Sequence, residues 1–168
     1  MTIDGKPHPH SFLRDGSDTR TTEVACKRGT GLVVKSGIQG LLVLKSTGSA
    51  FYGFMRDEYT TLPETRDRIL STEVDATWEW HLFKTLGEVK KEVPRFDAAW
   101  NVARDITLKT FANDNSASVQ ATMYKMANEI LQVVPEVNHV GYSLPNKHYF
   151  EISKSLHMGP SVIIRGTY

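Results

Sequence analysis

Several side chains in this sequence combine a reactive or ligand-binding group with a position from which that group could act. Gln120 follows a run of Asn and Ser residues, Asn113 to Ser118, that can cap a helix. The helix is therefore predicted to begin at Ser116 or Ser118, with Val119 and Gln120 in its first turn. Free backbone N–H groups at a helix start suit a small anion, and a Gln amide both donates and accepts hydrogen bonds. A solvated Gln beside an ordinary helix cap is the alternative.

Arg68 and Phe51 are candidates for binding a flat polar ligand. Residues 68–80 alternate between apolar and polar types, which predicts a long strand with Arg68 in phase with its core face. Its guanidinium should lie at the rim of that layer, either free for a ligand or paired with a carboxylate. Phe51 belongs to an aromatic cluster, Phe51-Tyr52-Gly53-Phe54, beside a polar loop. Such a ring either covers the core or forms a stacking platform for a heterocycle.

Three histidines are placed where chemistry is conceivable. His148 follows the turn residues Pro145-Asn146-Lys147 and shares a face with the apolar residues of a predicted return strand. It is either a hydrogen-bonded core histidine or a group that titrates near neutral pH. His8 and His10 face the same way, but no Cys or carboxylate cluster accompanies them. We therefore predict no bound metal. Stoichiometric zinc, iron or copper in elemental analysis would instead indicate a metal-dependent hydrolase or oxygenase.

Composition limits the classes of function that this chain can have. Its 168 residues with 40% apolar content suit one compact domain, and its net charge of +1 does not favour nucleic acid or an anionic membrane as a partner. The single Cys26 excludes an internal disulfide, which is typical of a reducing compartment. The sequence has no apolar run long enough to predict a signal peptide or a membrane span.

The hydrophobic pattern predicts strands first and helices later. Residues 5–14 indicate an edge strand, and residues 21–27, 32–35 and 41–45 a meander with turns at 28–31 and 36–40. Residues 86–91 suggest a short helix, after which Pro94 opens a longer helix that ends near Asn113. A second helix runs from Val119 to Val134 and stops before Pro135. The expected fold is α+β, with two antiparallel helices across one face of an antiparallel sheet.

Four stretches together closely resemble the urate oxidase (uricase) family. They are residues 5–12 (GKPHPHSF), 56–62 (RDEYTTL), 115–124 (NSASVQATMY) and 142–150 (YSLPNKHYF). The resemblance implies that residues 1–152 are the second of two tunnelling-fold (T-fold) domains in a uricase subunit. Residues 153–168 would then be a weakly patterned tail. The T-fold agrees with the α+β architecture predicted from the hydrophobic pattern.

The resemblance also implies an activity and its residues. Uricases oxidise urate with O2 and water to 5-hydroxyisourate and hydrogen peroxide, without a metal or organic cofactor. By this resemblance Phe51 stacks on urate, while Arg68 and Gln120 hold the purine edge together with the backbone N–H of Val119. Asn146 is the amide beneath the site for O2 or water, and His148 is the proton-relay histidine. Catalysis would thus fall to His148 and Asn146.

The resemblance has two departures that affect its consequences. Most of the family's first domain is missing from this sequence, including the Lys and Thr that work with the relay histidine, so we expect an incomplete site. A non-catalytic T-fold domain for ligand binding or scaffolding is therefore the alternative function. The resemblance also implies a homotetramer and a peroxisomal location, but the sequence ends in Arg165-Gly166-Thr167-Tyr168 and not in a Ser-Lys-Leu type signal. A cytoplasmic location is the alternative.

Overall fold

The computed structural model describes residues 1–147. Its elements are β1 (Thr2–Ile3), β2 (Lys6–Pro7), β3 (Ser11–Leu13), β4 (Thr19–Lys27), β5 (Gly31–Lys45), β6 (Leu70–Trp80), α1 (Leu86–Asn113), α2 (Val119–Val133), β7 (Val137–Ser143) and β8 (Asn146–Lys147). The predicted return strand from His148, the domain boundary at residue 152 and the tail lie outside the described residues. Neither helix within residues 1–147 combines the length and apolarity needed to cross a bilayer.

One antiparallel sheet carries the fold. Strands β5 and β6 pair at its centre. On the outer side of β5, β3 and β4 pair with successive parts of that strand, and on the outer side of β6, β7 and β8 pair with successive parts of β6. The alternation predicted for β6 is confirmed, because Leu70, Val74, Trp78 and Trp80 are buried on one face. Strand β6 begins two residues later than predicted, so Arg68 lies just before it.

The predicted turn at residues 36–40 is wrong, because these residues continue strand β5. The register with β6 shifts between Ile38 and Leu41, where three steps on β5 oppose two on β6. Gly40, with φ +73°, is in the left-handed region that favours glycine, and it accommodates the extra residue of this β-bulge. The bulge keeps both Ile38 and Leu41 on the core face, where each is fully buried. A strand with regular alternation would have turned one of them to solvent.

The predicted turn at residues 145–147 is also wrong. Asn146 and Lys147 pair with Thr72 and Ser71 of β6. The chain therefore continues to pair with β6, the strand with which β7 also pairs. The Thr72 hydroxyl donates to the Pro145 carbonyl at 2.9 Å and fastens the irregular step between β7 and β8. Pro145 has no N–H to donate, and it lies between β7 and β8, where the sheet requires no donor from it.

Helix α1 is one helix of 28 residues, and the prediction of two separate helices around Pro94 is wrong. Thr85 caps it: the Thr85 hydroxyl accepts from the Glu88 N–H at 3.2 Å, and Glu88 accepts from the Lys84 N–H at 2.7 Å. These two hydrogen bonds fix the start of the helix well before Pro94. Pro94 removes one helical hydrogen bond, but Val89 and Phe96 on either side of it both pack against the core and hold the helix continuous.

Helix α2 begins and ends where the sequence predicts. Ser118 is its N-cap and Val134 its C-cap, one residue before Pro135. Helices α1 and α2 pack against each other and are joined by residues 114–118, so they run in opposite directions. Their buried residues, including Ala103, Ile106, Met126 and Ile130, cover the apolar face of the sheet. The predicted α+β architecture, with two antiparallel helices across one face of an antiparallel sheet, is confirmed.

Candidate functional site

A pocket of about 410 Å³ opens beside the start of α2 and brings the predicted binding residues together. Phe51, Arg68, Val119, Gln120 and Asn146 all contribute to its wall. They come from three separate parts of the chain, which the sheet and helix α2 assemble. A volume of this order is typical of small-molecule sites.

The Phe51 ring has one aromatic and one cationic neighbour. Phe54 stacks on it with centroids 4.4 Å apart and an interplanar angle of 19°, and the Arg68 guanidinium carbon lies over the ring at 5.2 Å from its centroid. Backbone hydrogen bonds in both directions between Phe51 and Thr65, at 2.8 and 2.9 Å, fix the ring's position. Because Phe54 covers one face of Phe51, a flat ligand that stacks on this ring would use the opposite face.

Arg68 brings a buried cationic donor into the pocket. Its backbone N–H donates to the Ser49 carbonyl at 2.8 Å, which anchors the residue before β6 starts. Its Nε is buried without a hydrogen-bond partner among the described residues, and burial lowers the pKa of the guanidinium. No carboxylate of residues 1–147 forms an ion pair with Arg68, so the alternative of a structural ion pair finds no support there. Arg68 therefore lines the pocket with a donor that no group of residues 1–147 satisfies.

The first turn of α2 adds backbone donors. The Ser118 hydroxyl accepts from the Ala121 N–H at 3.1 Å, and the Ser118 carbonyl accepts from the Thr122 N–H at 3.2 Å. The N–H groups of Val119 and Gln120 precede these and have no acceptor within the helix. Gln120 is exposed and lies at the pocket, where its side-chain amide is free to donate and accept.

Asn146 contributes an acceptor to the pocket wall. Its Oδ1 atom is buried and has no hydrogen-bond donor among residues 1–147. The pairing of Asn146 with Thr72 of β6 sets the side chain at the pocket wall. A buried amide oxygen without a donor is costly, so a donor on a ligand or on a water molecule would stabilise it. His148 lies outside the described residues.

Sequence reasoning missed Thr65 and the apolar part of the pocket wall, which is formed by Leu62, Pro63, Met123 and Leu144. Met123 lies in the helix predicted from Val119 to Val134, but its place at the pocket was not predicted. Leu62 lies in a loop without periodicity, so no sequence pattern could have placed it here. These side chains exclude water around the polar groups and strengthen the hydrogen bonds that a ligand would make.

The two N-terminal histidines do not form a metal centre with other ligands. The rings of His8 and His10 meet edge to face with centroids 4.5 Å apart. Among residues 1–147 no group of three or more His, Cys, Asp or Glu side chains could hold a metal ion. The absence of a bound metal stays a prediction.

Comparison with known proteins identifies the family. The uricase family model matches residues 34–162, which is most of the chain. The chain belongs to the uricase family. It is 63% identical over 159 residues to the uricase of Aspergillus flavus, a match that covers 95% of this chain and 53% of that protein. It is 49% identical over 153 residues to the uricase of Schizosaccharomyces pombe, covering 91% and 51%.

Solved structures agree with the family and the fold. The crystal structure of uricase from Arthrobacter globiformis superposes with a TM-score of 0.70 at 41% identity, covering 83% of this chain and 45% of that one. This chain therefore spans about half the length of the uricases that it matches. For this chain, the activity of a whole uricase is therefore a proposal.

Proposed function

We propose that this chain contributes the urate-binding half of a urate oxidase site. The observation that supports this best is one pocket in a uricase-family chain where the Phe51 ring, the unpaired Arg68 donor and the first-turn N–H groups of α2 meet. Urate is a planar anion with acceptors and donors along its edge. A guanidinium fork, an amide and a helix start complement that edge, and the aromatic ring fixes its plane.

In the proposed reaction urate gives two electrons to O2. Water adds its oxygen to the purine, and the products are 5-hydroxyisourate and hydrogen peroxide. Arg68 and Gln120 orient the urate anion, and Asn146 presents its unpaired Oδ1 to the water or O2 side of the ring. His148 is the proposed proton relay, since an imidazole can take and return a proton near neutral pH. No metal or organic cofactor is required in this scheme.

Urate turnover tests this function. We follow the ultraviolet absorbance of urate with the 168-residue chain alone, and then with the first half of a uricase supplied in trans. Because the chain spans half of its relatives, we expect slow turnover alone and faster turnover on complementation. His148→Ala should slow the complemented reaction by about 100-fold, since general acid–base catalysis contributes at least that much. No turnover in either arrangement would favour a non-catalytic T-fold domain.

The Phe54 ring behind Phe51 leads to a separate prediction. Phe54→Leu should weaken urate binding about threefold to tenfold, because a stacked aromatic pair contributes roughly 0.5–1.5 kcal/mol beyond its buried area. Binding is measured by calorimetry in oxygen-free buffer, so that no turnover occurs. Tyr52→Leu is the matched control, since Tyr52 is exposed and contacts Arg66 outside the pocket. Equal effects of the two substitutions would contradict a specific role for Phe54.

The resemblance supports two further proposals. We infer assembly as a homotetramer of the complete subunit and a peroxisomal location.

A further inference from the structure

Lys45 is an unusual side chain in the core of this fold. It follows Leu41 and Val43 on the core face of β5, and it is only 1% exposed. Its Nζ donates to the backbone carbonyl of Asp114 at 2.6 Å and lies 5.7 Å from the centroid of the Phe111 ring. Burying an ammonium group costs free energy unless neighbouring groups compensate its charge. The groups around Lys45 therefore indicate what this residue does.

Asp114 connects Lys45 to the start of α2. Its carboxylate accepts from the Thr122 hydroxyl at 3.0 Å and from the Lys125 ammonium group. The Thr122 hydroxyl in turn lies 2.6 Å from the Ser116 hydroxyl, and both of these residues are buried. This network fixes the loop that places the first turn of α2, and with it Val119 and Gln120, at the pocket.

Asp67 connects the turn after Lys45 to the segment that carries Arg68. One carboxylate oxygen of Asp67 accepts from the Gly48 N–H at 2.9 Å, and the other accepts from the Thr47 hydroxyl at 2.7 Å. The Thr47 hydrogen bond holds the pKa of Asp67 below its usual range, so the carboxylate is charged at neutral pH. Thr47 and Gly48 lie in the turn that follows β5 and Lys45. Asp67, the residue next to Arg68, therefore holds this turn in place.

Backbone hydrogen bonds join these two sides. The Ser116 N–H donates to the Gly48 carbonyl at 3.1 Å, and the Ala50 N–H donates to the Ser116 carbonyl at 2.8 Å. The charged groups that act on Lys45 are Asp114 and Asp67, which favour its protonated form, and Lys125, which disfavours it. Burial lowers the Lys45 pKa, while the two carboxylates oppose that shift.

We propose that Lys45 is a positioning residue that fixes the spacing between Arg68 and the start of α2, and so sets the width of the urate pocket. The ammonium group holds the Asp114 carbonyl directly, and Thr47 and Gly48, which follow Lys45 in the chain, are held by the Asp67 carboxylate next to Arg68. A neutral apolar side chain of the same length would fill the space but would leave the Asp114 carbonyl without its donor. The consequence for urate affinity rests on the proposed function, whereas the consequence for the loops does not.

The test compares Lys45→Met with Lys35→Met in the 168-residue chain. Lys35 lies on the same strand but is exposed, with its Nζ 3.5 Å from Glu79, so its removal leaves the pocket unchanged. In Lys45→Met we expect the amides of Gly48 and Ser116 to exchange hydrogen at least about tenfold faster relative to Val74, because a hydrogen bond from a charged donor is lost. Urate affinity in oxygen-free buffer should fall by about tenfold.

Several outcomes separate the possibilities. Uniformly faster exchange with unchanged urate affinity would overturn the proposal, because Lys45 would then have only a structural role. If the parent chain binds no urate, the proposed function fails, and the local exchange at Gly48 and Ser116 still decides whether Lys45 fixes the loops. If Lys45→Met does not fold, Thr122→Val removes the hydroxyl that links Asp114 to Ser116. It should accelerate exchange at Ser116 first, and unchanged exchange there would contradict the proposal.

Discussion

Replacing Arg68 with Met is expected to weaken urate binding roughly 1,000-fold, because two charge-assisted hydrogen bonds contribute about 1.5–3 kcal/mol each and 1.4 kcal/mol is a factor of ten. Met preserves much of the buried aliphatic stem, so the packing before β6 should survive. This expectation rests on the buried Nε, which has no partner among residues 1–147, and on the position of the guanidinium over Phe51. Calorimetric titration in oxygen-free buffer measures the change.

Arg66 provides the control for this substitution. It lies two residues earlier, is exposed, and its guanidinium carbon is 4.9 Å from the centroid of Tyr52 and outside the urate pocket. Arg66→Met removes the same charge from the same segment and should change urate affinity by less than about threefold, since an exposed charge contributes little. A similar loss in both variants would mean that the general positive charge attracts urate, and that Arg68 makes no specific contact.

Replacing Trp80 with Ala is expected to lower the free energy of unfolding by about 3–5 kcal/mol. Trp80 is 1% exposed, its Nε1 donates to the Ser36 hydroxyl at 3.0 Å, and its ring meets Phe96 edge to face at 4.5 Å. The substitution therefore creates a cavity between sheet and helix α1 and removes the donor to a buried hydroxyl. Because a domain has only about 5–15 kcal/mol of stability in total, the variant should be near the limit of folding.

Urea denaturation followed by circular dichroism measures this loss of stability. Leu82→Ala is the control, because Leu82 lies two residues further along the chain and is 46% exposed. It should cost less than about 0.5 kcal/mol, as is usual for surface positions. A loss below about 1 kcal/mol for Trp80→Ala would contradict the packing of β6 against α1.

The sequence was sufficient for the elements whose periodicity is regular. The alternation along β6 located its buried face, and the polar run before Val119 located the start of α2, because both patterns follow directly from backbone geometry. Arg68 could be placed at the core side for the same reason. The residue pattern left Phe51 as either a core cover or a stacking ring, and Asn146 could be assigned only by the resemblance, because long-range pairing with Thr65 and Thr72 brings them to the pocket.

The failures share a physical cause, which is tertiary structure overriding a local signal. The glycines of residues 36–40 favour a turn, but the pairing of β5 with both β4 and β6 absorbs Gly40 as a bulge. Pro94 favours a helix start, yet the Thr85 and Glu88 cap together with core packing extends the helix across it. The sequence around Lys45 does not predict that this residue is buried, because the bulge at Gly40 determines which face of β5 it lies on.

The measurement that tests the central claim most directly is a titration of the ¹⁵N-labelled 168-residue chain with urate in oxygen-free buffer, followed by two-dimensional NMR. A urate edge bound between Arg68 and the start of α2 predicts progressive shifts of the Val119 and Gln120 backbone amides, the Gln120 side-chain amide and the Arg68 Nε–H. The amide signals of residues beside the separate groove at Leu82 and Lys91 should not shift. Unchanged Val119, Gln120 and Arg68 signals at millimolar urate, or shifts confined to another surface, would contradict the account.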